Sequence, residues 1–182
     1  VHLSHVLSGN VQDDEWNRLA VVMGQVTGAP LYIDDSPNLS MMEIRAKARR
    51  LKQRHGLDMI IIDYLQLMSS GKRVESRQVE VSEFSRQMKL LAKELDIPVV
   101  ALSQLNRGPE QRADKKPMLS DLRESGAIEQ DADVVVLLHR DDKYDPESTR
   151  PGEADLIIAK HRNGPTDTVV TTFHGHYSRF GR

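Results

Sequence analysis

The chain has 182 residues, of which 38% are hydrophobic and 29% are charged, and its formal net charge is −2. This length suffices for one globular domain, and no apolar run approaches the roughly 18 residues that a membrane-spanning helix needs. The absence of cysteine excludes disulfides and thiolate metal sites and makes a reducing cytoplasm the default location. Because the net charge is slightly negative, a nucleic-acid partner would have to meet a local basic patch.

The first part of the chain predicts a helix followed by a short strand. Apolar residues recur at three- and four-residue spacing over 13–28, which is typical of a helix, and Asp13 or Asp14 could cap it. Residues 31–34 then predict a strand. The recurring apolar residues are Trp16, Leu19, Ala20 and Met23.

A second helix is predicted after the turn at 36–38. Ser40 and Glu43 match a capping box for its start, and Gly56 is a natural cap for its end. Its polar side carries a basic run that could touch nucleic acid, although a solvated helix face explains the run better. The basic residues are Arg45, Lys47, Arg49, Arg50 and Lys52.

Three apolar runs, at 59–62, 98–102 and 133–138, predict strands that are buried on both faces. An amphipathic helix over 79–95 separates the first two runs, and a short helix that Ser120 could cap precedes the third. This alternation is typical of βαβ units. The predicted fold class is therefore α/β, with a mainly parallel sheet flanked by helices.

The connections and the C-terminal strands complete the predicted fold. A basic loop is expected at 69–73 and a charged loop at 141–152. Residues 153–160 and 167–173 predict two further strands. Since only a turn sequence joins them, we expect an antiparallel hairpin at the edge of the sheet.

Two of the predicted strands end in polar residues that suit phosphate chemistry, namely Asp63 and Gln104. Ligands of open α/β folds bind in the crevice at the carboxyl ends of the strands. A carboxylate that holds Mg²⁺ and an amide that senses a terminal phosphate would make a coherent pair there. Taken alone, Asp63 is explained equally well as the end of a core strand.

Lys160 and Arg162 lie two residues apart on the penultimate strand, so alternation places both on one face. Two cations on one face repel each other unless an anion lies between them. A phosphate, on this or a neighbouring subunit, would satisfy both side chains. The alternative is a solvated strand edge with cationic ends, which also discourages aggregation.

Four motifs then occur in the order found in bacterial DnaB-type replicative helicases. They span 62–68, 101–107, 121–133 and 160–165, and together they are far more specific than a general RecA-like ATPase pattern. The chain resembles that family over nearly its whole length. The resemblance implies a RecA-like fold and a ring-shaped homo-hexamer that uses ATP and Mg²⁺ to move along single-stranded DNA and unwind the duplex at the replication fork.

The resemblance also implies roles for individual residues. Asp63 would help to hold Mg²⁺ with the nucleotide, and Gln104 would sense the phosphate and link hydrolysis to the DNA loops. Lys160 and Arg162 would reach the nucleotide of the neighbouring subunit, the arginine acting as a finger.

A DNA-binding loop and several partners follow from the same resemblance. Arg123, Glu124 and Gly126 match the loop that tracks the DNA backbone inside the ring. The implied partners are single-stranded DNA, primase and a helicase loader, with no membrane and a cytoplasmic location.

The motif G-x-x-x-x-G-K-[ST], which cradles nucleotide phosphates, does not occur in the sequence. In the family this loop and the catalytic glutamate precede the region matched here. We therefore expect residues 1–182 to be the C-terminal part of the motor domain, truncated on its N-terminal side and inactive alone. The alternative is a non-enzymatic interaction module that docks onto a helicase ring or its loader; the 121–133 motif argues against a recombinase-like or clock-type RecA-fold ATPase.

Overall fold

The computed structural model describes residues 1–70 and 76–181, without the side chains of 123–125. The predicted loop at 69–73 thus lies largely outside the described residues. The helices are α1 (Leu3–Ser8), α2 (Asp13–Thr27), α3 (Met41–His55), α4 (Arg77–Leu95), α5 (Gly108–Gln111) and α6 (Gly126–Asp131). The strands are β1 (Ile60–Ile62), β2 (Val99–Ala101), β3 (Val134–His139), β4 (Glu153–His161), β5 (Asp167–His174) and β6 (Arg179–Gly181).

The chain divides into two compact units. The terminal unit comprises Val1–Asp35, Arg140–Asp155 and Val170–Arg182. The central unit comprises Ser36–His139 and Leu156–Val169, and it contains every residue singled out above for nucleotide or DNA binding.

Two sheets are present in the described residues. Strands β1 and β2 pair in parallel, with Ile60 opposite Val99 and Ile62 opposite Ala101. The second sheet has the order β3-β4-β5-β6. The α/β class with a parallel pair is confirmed, but the expectation that the third strand extends this pair is wrong, because β3 pairs with β4 instead.

The predicted hairpin at the C-terminal side is confirmed. Strands β4 and β5 are neighbours joined by only 162–166, which is too short for the crossover that parallel strands require, so they run antiparallel. Strand β6 pairs antiparallel with β5, with Phe180 opposite Phe173. The edge of the sheet is therefore β6, which the sequence patterns did not predict.

The main core lies between α3, α4 and the parallel pair. Phe84 and Leu91 on α4 are each 1% exposed, and the apolar stripe predicted for this helix is buried along its length. Ser40 caps α3 as predicted, since its hydroxyl accepts the N–H of Glu43. The buried cluster consists of Met41, Ala48, Leu65, Met68, Phe84, Met88, Leu91, Leu95 and Ile97.

The prediction that the strands are buried on both faces is wrong. Ile60 and Ile62 pack against the main core, but Ile61 between them is 65% exposed. Val100 and Ala101 of β2 are likewise exposed, and β3 alternates between exposed and buried residues. A parallel strand is buried on both faces only where helices cover both sides, and in the described residues the helices cover one side of the β1–β2 pair.

Two predictions for the terminal unit are also wrong. Helix α2 is present, but Gln12 caps its start in place of Asp13 or Asp14, with the Gln12 N–H donating to Glu15 at 3.2 Å. Trp16, one of the recurring apolar residues, is 55% exposed. Residues 31–34 form no strand, since no described segment pairs with them, and Ile33 is 83% exposed. None of the helices in the described ranges has the length and apolar character that a membrane crossing requires.

Leu91→Ala should lower the free energy of unfolding by about 2–5 kcal/mol, because it leaves a cavity among fully buried side chains. The adjacent Leu90 is 56% exposed and provides a matched control. Leu90→Ala should change the free energy by less than about 0.5 kcal/mol. Urea titration of both variants measures the difference, and equal effects would show that the α4 stripe does not form the core.

Candidate functional site

The end of the β1–β2 pair carries Asp63 and Gln104. Asp63 follows β1 directly, and Gln104 follows β2 by three residues. Backbone pairing continues past both strands, because the N–H of Leu102 donates to Ile62 at 2.9 Å and that of Leu65 donates to the carbonyl of Leu102 at 3.0 Å. Both candidate side chains are exposed at this edge, so a ligand can reach them.

Gln66 joins the two segments, and the sequence patterns did not single it out. Its side-chain amide donates to the hydroxyl of Ser103 at 3.1 Å and to the carbonyl of Gln104 at 3.2 Å, while its oxygen accepts the N–H of Gln104 at 3.2 Å. The amide thus acts as one more rung of the parallel ladder. The available signal was a polar residue between two leucines in an otherwise apolar stretch.

The donor chemistry of this edge fits a magnesium–nucleotide complex. Mg²⁺ is commonly bound by one or two carboxylates together with phosphate oxygens and water, rather than by a cage of protein ligands. Asp63 supplies one such carboxylate. The described residues contain no cluster of three or more histidine, aspartate or glutamate side chains placed to hold a metal by themselves.

Lys160 and Arg162 point to the same neighbour, although Arg162 lies in the turn just after β4, which ends at His161, and not in the strand as predicted. The ammonium of Lys160 donates to the carbonyls of Glu129 and Gln130, and the guanidinium of Arg162 donates to the carbonyl of Gln130 at 3.1 Å. These carbonyls belong to the last turn of α6, where backbone acceptors lack helical partners and the helix dipole favours cations. The anion expected between the two cations is thus replaced here by a helix end.

Asp133 holds the same corner together. Its backbone carbonyl accepts the N–H of Arg162 at 2.8 Å, and its carboxylate pairs with Lys89 on α4 and lies 3.5 Å from the Arg162 guanidinium. The hydrogen bond from Lys89 holds the pKa of Asp133 below its usual range. Backbone hydrogen bonds and the charge of Asp133 therefore hold Lys160 and Arg162 against α6.

The candidate DNA loop lies at the junction of two short helices. A 3₁₀ helix over Leu119–Ser125 leads directly into α6 at Gly126. The expected cap at Ser120 is wrong, because Asp121 caps this segment by accepting the N–H of Met118 at 2.7 Å. Arg123 and Glu124 lie in the 3₁₀ helix, and their side chains are outside the described part.

Gly126 is exposed, and no described atom lies within 4 Å of where its Cβ would be. Its φ of −52° is open to any residue. Within the described part of the chain, neither packing nor backbone conformation therefore demands a glycine here. A bare backbone at an open helix start instead suits the close approach of a ligand such as a phosphate.

A family model described as the DnaB-like helicase C terminal domain matches residues 1–182. The chain belongs to this family. Its α/β architecture is accordingly the RecA-like fold of the family's ATPase domains, as two solved structures also indicate. The first is a solved ATPase domain that superposes with a TM-score of 0.94 and 41% identity, over 99% of this chain and 65% of that one.

The second structure is that of a DnaB-like replicative helicase, described together with its interactions with primase. It matches with a TM-score of 0.88 and 44% identity over 93% of this chain and 42% of that one. Both structures are similar enough in sequence for the likeness to extend beyond the fold. They support a replicative helicase family for the chain.

Curated relatives agree with this family. The replicative DNA helicase DnaB of Leifsonia xyli subsp. xyli (strain CTCB07) is 70% identical over 99% of this chain, and that of Mycobacterium leprae (strain TN) is 68% identical over 99%. The replicative DNA helicase DnaC of Bacillus subtilis (strain 168) is 52% identical. The chain spans only 39%, 30% and 40% of the lengths of these relatives.

Gln66→Ala should speed up amide hydrogen exchange at Gln104 about fivefold, because the Gln104 N–H loses a hydrogen bond with a net contribution of about 1 kcal/mol. Exchange at Leu102, whose N–H donates to the backbone of Ile62, should stay unchanged. Leu67→Ala is the matched control, since that side chain is 59% exposed. Unchanged exchange at Gln104, measured by NMR, would contradict the Gln66 bridge.

Proposed function

We propose that residues 1–182 are the C-terminal part of the RecA-like motor domain of an ATP-dependent replicative DNA helicase. The observation that carries this proposal is the family match over the full chain, combined with two polar side chains at the end of one parallel strand pair. In this proposal the motor works as a ring-shaped homo-hexamer that moves along single-stranded DNA and separates the duplex at the fork.

ATP binds at the edge that carries Asp63 and Gln104. Mg²⁺ would neutralise the charge that develops on the transferred phosphoryl group. Asp63 would hold that ion through its exposed carboxylate. Gln104 would contact the terminal phosphate or the attacking water, since an amide both donates and accepts hydrogen bonds. Gln66 would keep the segments that carry Asp63 and Gln104 in register while ATP is hydrolysed.

Lys160 and Arg162 act on the nucleotide of the neighbouring subunit in this proposal. Their present acceptors are neutral carbonyls of α6, whereas a guanidinium makes stronger, bidentate hydrogen bonds to phosphate. A phosphate presented by the next subunit would therefore compete well for both side chains. Because the nucleotide lies on another subunit, the cations need the ring to act.

Arg123, Glu124 and Gly126 form the surface that follows the DNA backbone. The open approach to Gly126 supports this role, because a phosphate could reach the backbone there. Six copies around a ring would compensate for the modest charge of a single loop. We further propose primase and a helicase loader as partners, and a cytoplasmic location in keeping with a cysteine-free chain.

A second candidate function is a non-enzymatic module that docks onto a helicase ring or its loader. One observation favours it: apolar side chains of the terminal unit such as Leu7 and Ile33 are strongly exposed. A folded, monomeric chain that binds the ring without nucleotide would support this alternative.

Asp63→Asn in the full-length protein should reduce kcat for ATP hydrolysis by at least about 100-fold, because Mg²⁺ loses its protein carboxylate. Asp58→Asn is the matched control, an exposed carboxylate just before the same strand, and should leave kcat unchanged. Residues 1–182 alone should show no turnover. If residues 1–182 alone hydrolyse ATP and Asp63→Asn abolishes this activity, the expectation that hydrolysis requires the phosphate-cradling motif is wrong.

Arg123→Ala should weaken the binding of single-stranded DNA without altering base preference, because phosphate contacts carry no sequence information. The slope of log K against log salt should become shallower by about 0.7 for each phosphate that the protein no longer neutralises. Arg86→Ala removes an exposed arginine of α4 and serves as the control. Fluorescence anisotropy at several salt concentrations measures both effects, and a wild-type affinity that is independent of salt would exclude a phosphate-tracking loop.

A further inference from the structure

Asp121 is a carboxylate that is only 3% exposed. Arg112 donates to both of its oxygens, with Nη1 to Oδ2 at 2.9 Å, and the N–H of Met118 donates to Oδ2 at 2.7 Å. The hydrogen bonds from Arg112 hold the pKa of Asp121 below its usual range. The side chain is therefore a fixed, fully paired anion, and none of the functions described so far uses it.

The same residue ties down the segment that follows Gln104. The backbone carbonyl of Asp121 accepts the N–H of Asn106 at 3.0 Å, and the side chain of Asn106 accepts the N–H of Gly108 at 2.8 Å. A Cβ on Gly108 would lie 2.8 Å from Asn106 Oδ1 and 3.1 Å from Asp121 Oδ1, so any other residue would have to displace the Asn106 side chain. Arg112 closes the loop by donating to the carbonyl of Lys116 at 2.7 Å.

These contacts place the Arg112–Asp121 ion pair, whose carboxylate is buried, between the Gln104 segment and the candidate DNA loop. Asn106 comes two residues after Gln104, and Asp121 comes two residues before Arg123. In a 3₁₀ helix two residues span only about 4 Å. The intervening Leu122 is 6% exposed and packs against Val135 and Leu137, so it leaves the start of the DNA loop little freedom.

We propose that the Arg112–Asp121 pair is a positioning device that holds the DNA loop at Arg123 and Gly126 in register with the Gln104 end of the sheet. The inference rests on the proposed function and deepens it. Neither residue of the pair touches nucleotide or DNA. Its role is to keep the loop in the geometry that binds DNA and to transmit movement of the Gln104 segment to it.

The chain contains a matched control for this pair. Asp155 is 4% exposed and receives two hydrogen bonds from Arg150, one of them at 3.1 Å. This second buried pair lies in the terminal unit, which carries none of the nucleotide or DNA residues proposed here. Asp155→Asn therefore reports the cost of breaking a buried arginine–aspartate pair without disturbing the DNA loop.

The test is the DNA-stimulated ATPase of the full-length protein. In Asp121→Asn, the concentration of single-stranded DNA that gives half-maximal stimulation should rise about tenfold or more, because the loop loses its fixed geometry. The KM for ATP and the kcat without DNA should change less than about twofold, since Asp121 does not contact nucleotide. Asp155→Asn should leave the half-maximal DNA concentration, the KM and the kcat unchanged, even if it lowers the Tm as much as Asp121→Asn does.

Arg112→Lys provides a second variant, since it keeps the charge but loses the two-pronged geometry of the guanidinium. It should raise the half-maximal DNA concentration by a factor between those of the wild type and Asp121→Asn. If Asp121→Asn does not fold, Arg112→Lys is the variant that tests the proposal. The positioning role is overturned if the folded variants need the same DNA concentration as the wild type for half-maximal stimulation. It is also overturned if Asp155→Asn raises that concentration as much as Asp121→Asn does. Either result leaves the helicase proposal standing. A wild-type protein whose ATPase does not respond to DNA overturns both proposals.

Discussion

The parallel pairing of β1 with β2 is the constraint on which the candidate nucleotide site depends. It brings Asp63 and Gln104, which are 41 residues apart in the sequence, to one edge. The α4 helix supports the pair from one side through Phe84 and Leu91, and the Gln66 amide extends the ladder beyond the last backbone rung. Phosphoryl transfer depends on positioning more than on covalent chemistry, so this backbone geometry is itself part of the proposed mechanism.

The short helix α6 connects the remaining candidate residues. Its first residue, Gly126, belongs to the candidate DNA loop, and its last carbonyls accept hydrogen bonds from Lys160 and Arg162. Ile128 in its middle packs against the main core. A six-residue helix thus has the DNA loop at one end and the candidate trans-acting cations at the other. If a phosphate on a neighbouring subunit draws the cations away, the DNA loop loses support at the far end of its own helix.

Sequence patterns correctly predicted the elements whose characteristic residues all lie within or next to the element itself. The apolar stripe of α4 and the cap at Ser40 are periodic or adjacent in sequence, and both are confirmed. The burial of Ile61 and the strand at 31–34 were predicted wrongly, because each depends on what lies beside the segment. A run of β-branched residues signals a strand, but only neighbouring layers decide how many of its faces are covered.

The sequence by itself determined the family, the positions of most helices and strands, and the residues proposed to hold metal, phosphate and DNA, because these features reside in residue identity and local spacing. Only the tertiary structure decided that β3 joins β4, that Gln66 bridges two strand ends, and that Asp121 pairs with Arg112. It also decided that Lys160 and Arg162 bind the end of α6. These contacts join distant segments, often through backbone carbonyls and N–H groups, which every residue carries and which therefore leave no pattern in the sequence.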